Sequence, residues 1–567
     1  VVVANPMVQG AEPASHLLTW VDRPENYRPL TMLSFALNRD LGASASGFHT
    51  VNVLLHVLVT LLAFEIARGV LPSMLGATAA GALFAVHPIH TEAVSSVVGR
   101  AELLAALFAL LAVLTLVRAN RHGLSKPQRL AWRGASLAAF GAGLLCKESA
   151  LTAVALCAVV HWWVSSERRA GRTLREIAPY VVLGVAYLGW RRYLVGALGM
   201  PVPPHFIDNP LAHVGPPSRL ATAGVVLTKY LGLLAWPGTL SSDYSFNQIP
   251  VVTSALDPRL LVALGVLALV TAAFIVTARR APALAVAGAF FFVPMAATAN
   301  VLVVIGTIMA ERLVYLPSLG WCLVAGWVVA EIARRWRQPA LVALGVALCL
   351  LAVRTYVRNQ DWWDNEAAHT AAVRTAPASA KTHYNLGRDL LARQRIEEAV
   401  QHLRASVAIY PDWPEAQSNL GAALALAGNV PDALAHLTEA TRLQPESAPM
   451  RVNLAQVLVR ERRGDEAIEQ LQAARRLDPR LAPVSRLLAR LYEQRGRLPE
   501  AVEELSAAAA ADPRNADAQN ELGVALFRVG RVDEAIRRFE AALAIKADHP
   551  QAQQNLRAAL ARRSSPR

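Results

Sequence analysis

A 34-residue period governs the last third of the chain. Pro377, Pro411, Pro445, Pro479 and Pro513 fall on it. So do Leu386, Leu420, Leu454, Leu488 and Leu522, and Ala399, Ala433, Ala467, Ala501 and Ala535. A closing proline, with small residues where two helices cross, is the tetratricopeptide signature. The period predicts about five helix pairs over residues 377–567, with 548–562 as a capping helix. Such pairs bury their apolar faces only by stacking, which gives a curved solenoid with a concave binding face. Asn385, Asn419 and Asn453 recur just before the Leu-Gly or Leu-Ala pair. Their amides can donate to and accept from a peptide backbone, so they are candidates for holding an acceptor polypeptide. The plainer reading is that they tidy the inter-helix turn.

The rest of the chain obeys a different rule. Apolar runs recur at about 48–66, 72–87, 101–117, 132–146, 149–165, 177–195, 260–278, 282–300, 313–331 and 339–356. Hydrophobic content of 54% and mean hydropathy of +0.32 fit membrane spans, and ten is the economical count even though several runs fall short of the ~20 residues a crossing needs. The fold class predicted is all-α: a polytopic membrane bundle over 47–357, a linker at 358–376 and the repeat solenoid. Residues 1–46 read as an extracytoplasmic loop.

Charge orients the bundle. Residues 1–373 hold 28 Lys+Arg against 18 Asp+Glu, whereas 374–567 hold 28 against 24. The excess therefore lies in the short loops of the apolar half, where it marks the cytoplasmic side and argues against a nucleic-acid partner. Arg118, Arg121, Lys126, Arg129 and Arg133 fill one such loop, and Arg168, Arg169, Arg172 and Arg175 another. Arg279 with Arg280, and Arg334, Arg335 and Arg337, mark two more. The opposite, extracytoplasmic side (periplasm or ER lumen) then carries 87–100, 147–148, 301–312 and the repeats. One segment, 219–237, breaks the parity. It contains Lys229 and ends in Trp236-Pro237-Gly238, and is read as re-entrant or interfacial within an outer loop of about 196–259. Cys146, Cys157, Cys322 and Cys349 lie in apolar runs without metal spacing and read as core residues.

Ionisable groups collect on the outer face: Arg28, His87, His90, Glu92, Arg100, Glu102, Lys147, Glu148, Asp243, Glu311 and Arg312. Moving a sugar from a lipid phosphate needs a carboxylate to take the proton of the attacking hydroxyl and cations to hold the leaving phosphate. Arginine suits the second task because its fork matches phosphate oxygens. Plainer readings compete. Lys147-Glu148 and Glu311-Arg312 could each be a mutual ion pair, and Thr91 or Ser95 could cap a helix after a break at Pro88. His87-Pro-Ile-His90-Thr-Glu92 is weak evidence for a metal. No glycine-rich nucleotide loop follows a plausible strand, which disfavours a soluble nucleotide-sugar enzyme.

Several strings resemble the transmembrane and tetratricopeptide-repeat-containing O-mannosyltransferases, the TMTC family. They are Asn26-Tyr-Arg-Pro-Leu30, Phe84-Ala-Val-His-Pro-Ile-His-Thr-Glu-Ala-Val94 with Gly99-Arg-Ala-Glu102, Cys146-Lys-Glu-Ser149, Ser242-Asp-Tyr-Ser245 and Glu311-Arg-Leu-Val-Tyr-Leu-Pro317. The resemblance implies a GT-C fold that moves mannose from a polyprenyl (dolichyl-type) phosphate to Ser/Thr hydroxyls with inversion, and repeats on the same side as the site. It also implies an acidic motif in the first outer loop before an Asn-Pro resembling Asn5-Pro6. Because the chain begins at Val1, the principal base is expected upstream, and the fragment alone is expected to be inactive. Glu92 and Glu102 are then the remaining catalytic candidates, with Arg28, Arg100 and Arg312 towards the phosphate. No cofactor is assigned beyond the lipid-linked sugar donor, and no metal is identified. The competing reading is a membrane scaffold whose repeats recruit partners. A bare anchor needs one span rather than ten, and a transporter would carry its charges near the bilayer midplane.

Overall fold

The computed structural model describes residues 27–42, 44–121, 123–164, 169–196, 202–278, 281–479 and 481–564. Residues 1–26 of the expected outer loop, with Arg168, Arg279 and Arg280, lie outside the described residues. Every regular element among the described residues is helical. The chain divides into two compact units, Val1–Thr382 and His383–Arg567, so the boundary falls a few residues after position 377.

In the first unit a helix stands at each of the ten apolar runs: Ala45–Val70, Met74–Val86, Arg100–Ala119, Lys126–Cys146, Ala153–Val164, Ala170–Val195, Pro258–Ala278, Pro282–Thr298, Ser318–Ala333 and Arg337–Gln360. Four stretches, Ala45–Val70, Val97–Ala119, Pro258–Thr277 and Arg337–Gln360, are long and apolar enough to cross a membrane. They make this a membrane protein. The short helices have a common cause. Met74–Val86, Ala153–Val164, Pro282–Thr298 and Ser318–Ala333 each run into or out of a segment holding a 3-10 turn, at Pro88–His90, Glu148–Thr152 or Glu311–Val314. Irregular backbone within a membrane bundle is tolerated only where protein or a cavity surrounds it. The interrupted helices therefore mark where the polar centre sits.

Small residues let these helices approach. A Cβ on Gly326 would lie 2.3 Å from the Gly76 carbonyl oxygen, so Met74–Val86 and Ser318–Ala333 cross backbone to backbone, the contact that drives helix association in lipid. Ala77, Ala80, Ala105, Ala106, Ala109 and Ala112 continue this packing in the core. Cys146, Cys157 and Cys322 are buried, whereas Cys349 is exposed on the outer face of its helix, which corrects the expectation of four core cysteines.

The helix Pro216–Ala235 and the segment before it are fastened to residues 300–310 and to His87. Just before it, Asn209 donates to Asn300 Oδ1 at 2.9 Å and to the Ile305 carbonyl at 2.7 Å. Near its close, the Tyr230 hydroxyl donates to the Ala310 carbonyl at 2.8 Å, and the Leu234 carbonyl meets His87 Nε2 at 3.0 Å. Val226, Tyr230, Leu233 and Leu234 pack it onto Ile89, Phe291, Met295 and Ile308.

The second unit is a tetratricopeptide array. After Ala380–Ala392, the helices run Ile396–Ile409, Pro414–Leu426, Val430–Leu443, Ala448–Arg460, Gly464–Leu477, Ala482–Gln494, Leu498–Ala511, Ala516–Arg528, Val532–Ile545 and the last, Pro550–Ser564. Ala399, Ala433, Ala467, Ala501 and Ala535 are all wholly buried. That is why the period tolerates only a small side chain there. Side chains six residues on from the turns also close them: Gln417 donates to the Pro411 carbonyl at 2.8 Å and Arg451 to that of Pro445 at 2.9 Å.

Candidate functional site

The polar centre is assembled by the interruptions. Pro88 opens the 3-10 turn Pro88–His90, and His87 caps it by accepting the Ile89 N–H on Nδ1 at 3.2 Å. The cap is therefore His87, not Thr91 or Ser95. Thr91 Oγ1 instead donates to the Pro88 carbonyl at 2.7 Å, and Ser95 to Asn359 Oδ1 at 2.9 Å. The short helix Thr91–Ser95 carries Glu92, and the chain then folds so tightly that a Cβ on Gly99 would lie 2.1 Å from the Ala93 carbonyl oxygen. Only glycine fits that approach. Glu102 follows in the first turn of Arg100–Ala119.

Three ion pairs, each joining distant parts of the chain, then line up. Lys147 pairs with Glu102, Arg28 with Glu148 at 3.2 Å, and Arg312 with Glu92. The Arg312 backbone N–H also donates to Glu92 Oε2 at 2.9 Å. Lys147-Glu148 and Glu311-Arg312 are thus not mutual pairs. Neighbouring residues reach in different directions, and Arg28, Lys147 and Arg312 are brought into one cluster with Glu92, Glu102 and Glu148. The three cations and three carboxylates balance. Glu92 is almost wholly buried and doubly held, which fits a clamp for Arg312. Glu102 borders a small crevice of about 20 Å³, room for about one water molecule, lined also by Ala105, Ser149, Thr152, Pro294, Thr298 and Leu316.

The other candidates lie around this cluster. Arg100 is fully enclosed. Its guanidinium donates to Asn52 Oδ1 at 2.9 Å and to the carbonyls of Ser34 and Phe48 at 3.1 and 3.0 Å, and it lies 4.5 Å from the Phe35 ring centroid. It braces the N-terminal helices and does not join the three ion pairs. His87 and His90 are buried among Phe84, Tyr315 and Trp321. Burial pulls His87 down to about 4, so its ring is neutral and Nε2 donates to the Leu234 carbonyl. His90 Nε2 meets Ser318 Oγ at 2.8 Å. These histidines fasten the broken helix to its neighbours. Among the described residues no three His, Cys, Asp or Glu side chains group as a metal site requires.

Asp243 serves the loop. It accepts from the Ser245 N–H at 2.8 Å and lies 3.9 Å from Lys381 Nζ, which also pairs with Asp208. Burial pulls the Lys381 ammonium down, but Asp243 and Asp208 together hold it above its ordinary value. Glu311 points inward, away from Arg312. Its Oε1 accepts the Tyr244 hydroxyl at 2.7 Å and the Ser241 N–H at 2.5 Å. Burial pushes this carboxyl up to about 8. Across from it stands Arg358, which carries no distinguishing signal in the sequence because it lies just past an apolar run. Lys381 was likewise hidden, being one cation among many in the first repeat.

Along the array, Asn419 Nδ2 donates to the Tyr384 hydroxyl at 3.0 Å and Asn453 Nδ2 to Ser418 Oγ at 3.0 Å. Each amide therefore staples its helix to the one a repeat earlier, and its carbonyl oxygen has no part in that bond. Asn385 occupies the same register and is half-buried.

Comparison with known proteins adds identity to this geometry. Residues 202–271 match the family model described as "Protein O-mannosyl-transferase TMTC, DUF1736". Tetratricopeptide models match 350–414, 424–491 and 486–550. Protein O-mannosyl-transferase Tmtc1 of Drosophila melanogaster is 30% identical over 516 residues, covering 73% of this chain and 59% of that protein. Protein O-mannosyl-transferase TMTC3 of Homo sapiens is 28% identical, covering 68% of this chain and 45% of that protein. The chain thus spans about half of the length of the curated relatives it matches.

Proposed function

The chain is a relative of the TMTC protein O-mannosyl-transferases, and from that premise we propose that it moves a sugar, mannose, from a polyprenyl-type phosphate to Ser/Thr hydroxyls of polypeptides. The observation that carries this reading is the trio of neutralised cations beside a crevice bordered by Glu102. The acceptor oxygen attacks the anomeric carbon while its proton passes to a carboxylate, and Glu102 is the best-placed one in this chain. The bond from that carbon to the phosphate oxygen breaks, and its electron pair leaves with the phosphate. Arg28, Lys147 and Arg312 meet that growing charge. The phosphate gains negative charge as the bond breaks, so it competes with the carboxylate partners for the three cations most strongly in the transition state. Direct displacement inverts the anomeric centre. The repeats present the acceptor, on the same extracytoplasmic side as the crevice.

The test is transfer of radiolabelled mannose from a polyprenyl phosphate to a Ser/Thr-rich acceptor by the full-length, membrane-embedded protein. Glu102→Gln should reduce transfer per folded molecule at least a hundredfold, within the range usual for losing an acid–base group, and lower the melting temperature because Lys147 loses its carboxylate. Equal transfer by the variant would remove Glu102 from the chemistry.

A further inference from the structure

Arg358 holds an unusual position for so costly a side chain. It stands in the last turn of Arg337–Gln360 and is 1% exposed, yet Nη1 alone is hydrogen-bonded, to Asp361 Oδ2 at 2.8 Å. Nε and Nη2 are buried without a hydrogen-bond partner, and so is Glu311 Oε2. Nη2 and that oxygen lie 3.7 Å apart, too far for a hydrogen bond and close enough for one after a small shift. One guanidinium is thus shared unequally between two carboxylates. Asp361 also accepts from Arg374 at 3.0 Å, on the linker helix Asn365–Thr375. Glu311 is joined by one peptide bond to Arg312, whose backbone and side chain are held by Glu92.

We propose that Arg358 is a positioning residue: by moving between Asp361 and Glu311 it tightens or loosens the Glu311–Val314 turn that presents Arg312 to the donor phosphate. The role at the phosphate rests on the function proposed above; the tightening of the turn does not. Two packed arrangements that differ by a small shift are what carry a signal through a protein interior. The row Arg374, Asp361, Arg358 and Glu311 links the linker helix to the Arg312 turn. The other charged or titratable groups around Glu311 are Tyr244 on its loop, Glu92 on Thr91–Ser95, Lys229 and Tyr230 on Pro216–Ala235 and Arg354 on Arg337–Gln360. Of these, Tyr244 bonds the carboxylate on Oε1, which leaves Oε2 to Arg358.

Amide hydrogen exchange over residues 311–317 of the whole membrane protein reads the turn directly. Arg358→Gln should speed exchange there about tenfold. Asp361→Asn, which removes the competing carboxylate, should slow it by a similar factor. Arg358→Lys keeps the charge and should fall between wild type and Arg358→Gln, which covers failure of the latter to fold. Opposite directions support the latch, because loss of plain packing would speed exchange in both variants; equal directions, or no change in either, overturn it. Affinity for a short polyprenyl monophosphate should follow the same order, at least fivefold weaker in Arg358→Gln. If the exchange pattern holds while the wild type fails to bind that probe, the latch stands and the donor reading falls.

Discussion

Arg28 and Glu148 stand 120 positions apart in the chain and 3.2 Å apart in the fold. Lys147, the neighbour of Glu148, turns the other way to Glu102. A dipeptide of opposite charges is thus pulled apart, and each half completes a pair with a different helix. That geometry gives each of two neighbouring cations its own carboxylate.

If Arg28 meets phosphate, its partner is a placeholder. Arg28→Gln should weaken binding of a polyprenyl monophosphate tenfold or more, whereas Glu148→Gln should leave it equal or tighter. The pair is partly exposed, at 19% and 39% for the two side chains, so either change should cost only about 1 kcal/mol of stability. Parallel titration and thermal melting check both. Equal weakening by the two variants would mean that the pair binds nothing and only braces the fold.

Arg100 should behave in the opposite way. Its three hydrogen bonds end on Asn52, Ser34 and Phe48, so Arg100→Met strands two carbonyls and an amide oxygen. Each buried orphan costs about 1–3 kcal/mol, and the variant should melt many degrees lower. Transfer per folded molecule should stay near that of the wild type. A variant that melts normally but transfers nothing would return Arg100 to the site.

These contrasts show what could be read from the residues alone. The period of Pro377, Leu386 and Ala399 is a packing rule repeated five times, so helix pairs are legible without a structure. The runs that form Met74–Val86 and Ser318–Ala333 are legible as helices for the same reason: nothing in them can satisfy a backbone except the backbone itself. Pairing is different. That Glu102 meets Lys147 while Arg100, two residues earlier, meets Asn52 depends on a helical turn of about 100° per residue and on which neighbour lies on each side. Glu311 and Arg312 diverge likewise. Charge type was legible; the partner of each charge was not, because it is set by contacts between segments far apart in sequence.

Glu311 gives a pH signature. Burial raises its carboxyl from 4.5 to about 8, with Arg358 opposing and Glu92 adding to the shift. The native chain then binds this proton more tightly than the unfolded one. Stability from it is complete below about 4.5, declines as pH rises towards 8 and is gone beyond. The slope from one such group is at most about 1.4 kcal/mol per pH unit. Melting temperature measured between pH 5 and 8 should therefore fall more steeply in wild type than in Glu311→Gln. The same slope in both would show that Glu311 is ionised throughout.

The asparagine register separates a structural duty from a binding one. Asn419 and Asn453 each donate to a residue 35 positions back, on Tyr384 and Ser418. Asn555 does the same to Asn520 at 2.9 Å, and Arg486 with Glu521 keeps the spacing with a charged pair. Leu487 interrupts the series. Because a staple of this kind contributes about 1 kcal/mol, Asn419→Ala, Asn453→Ala and Asn555→Ala should each lower the stability of the array by a similar, small amount. If the amides of Asn385, Asn419 and Asn453 also hold an acceptor backbone, replacing all three by Ala should weaken an acceptor polypeptide tenfold or more. Asn555→Ala, outside that trio, should leave it unchanged. Hydrogen exchange and polypeptide titration on the same samples distinguish the two duties. Loss of the staples with no loss of affinity would assign these residues to the solenoid alone.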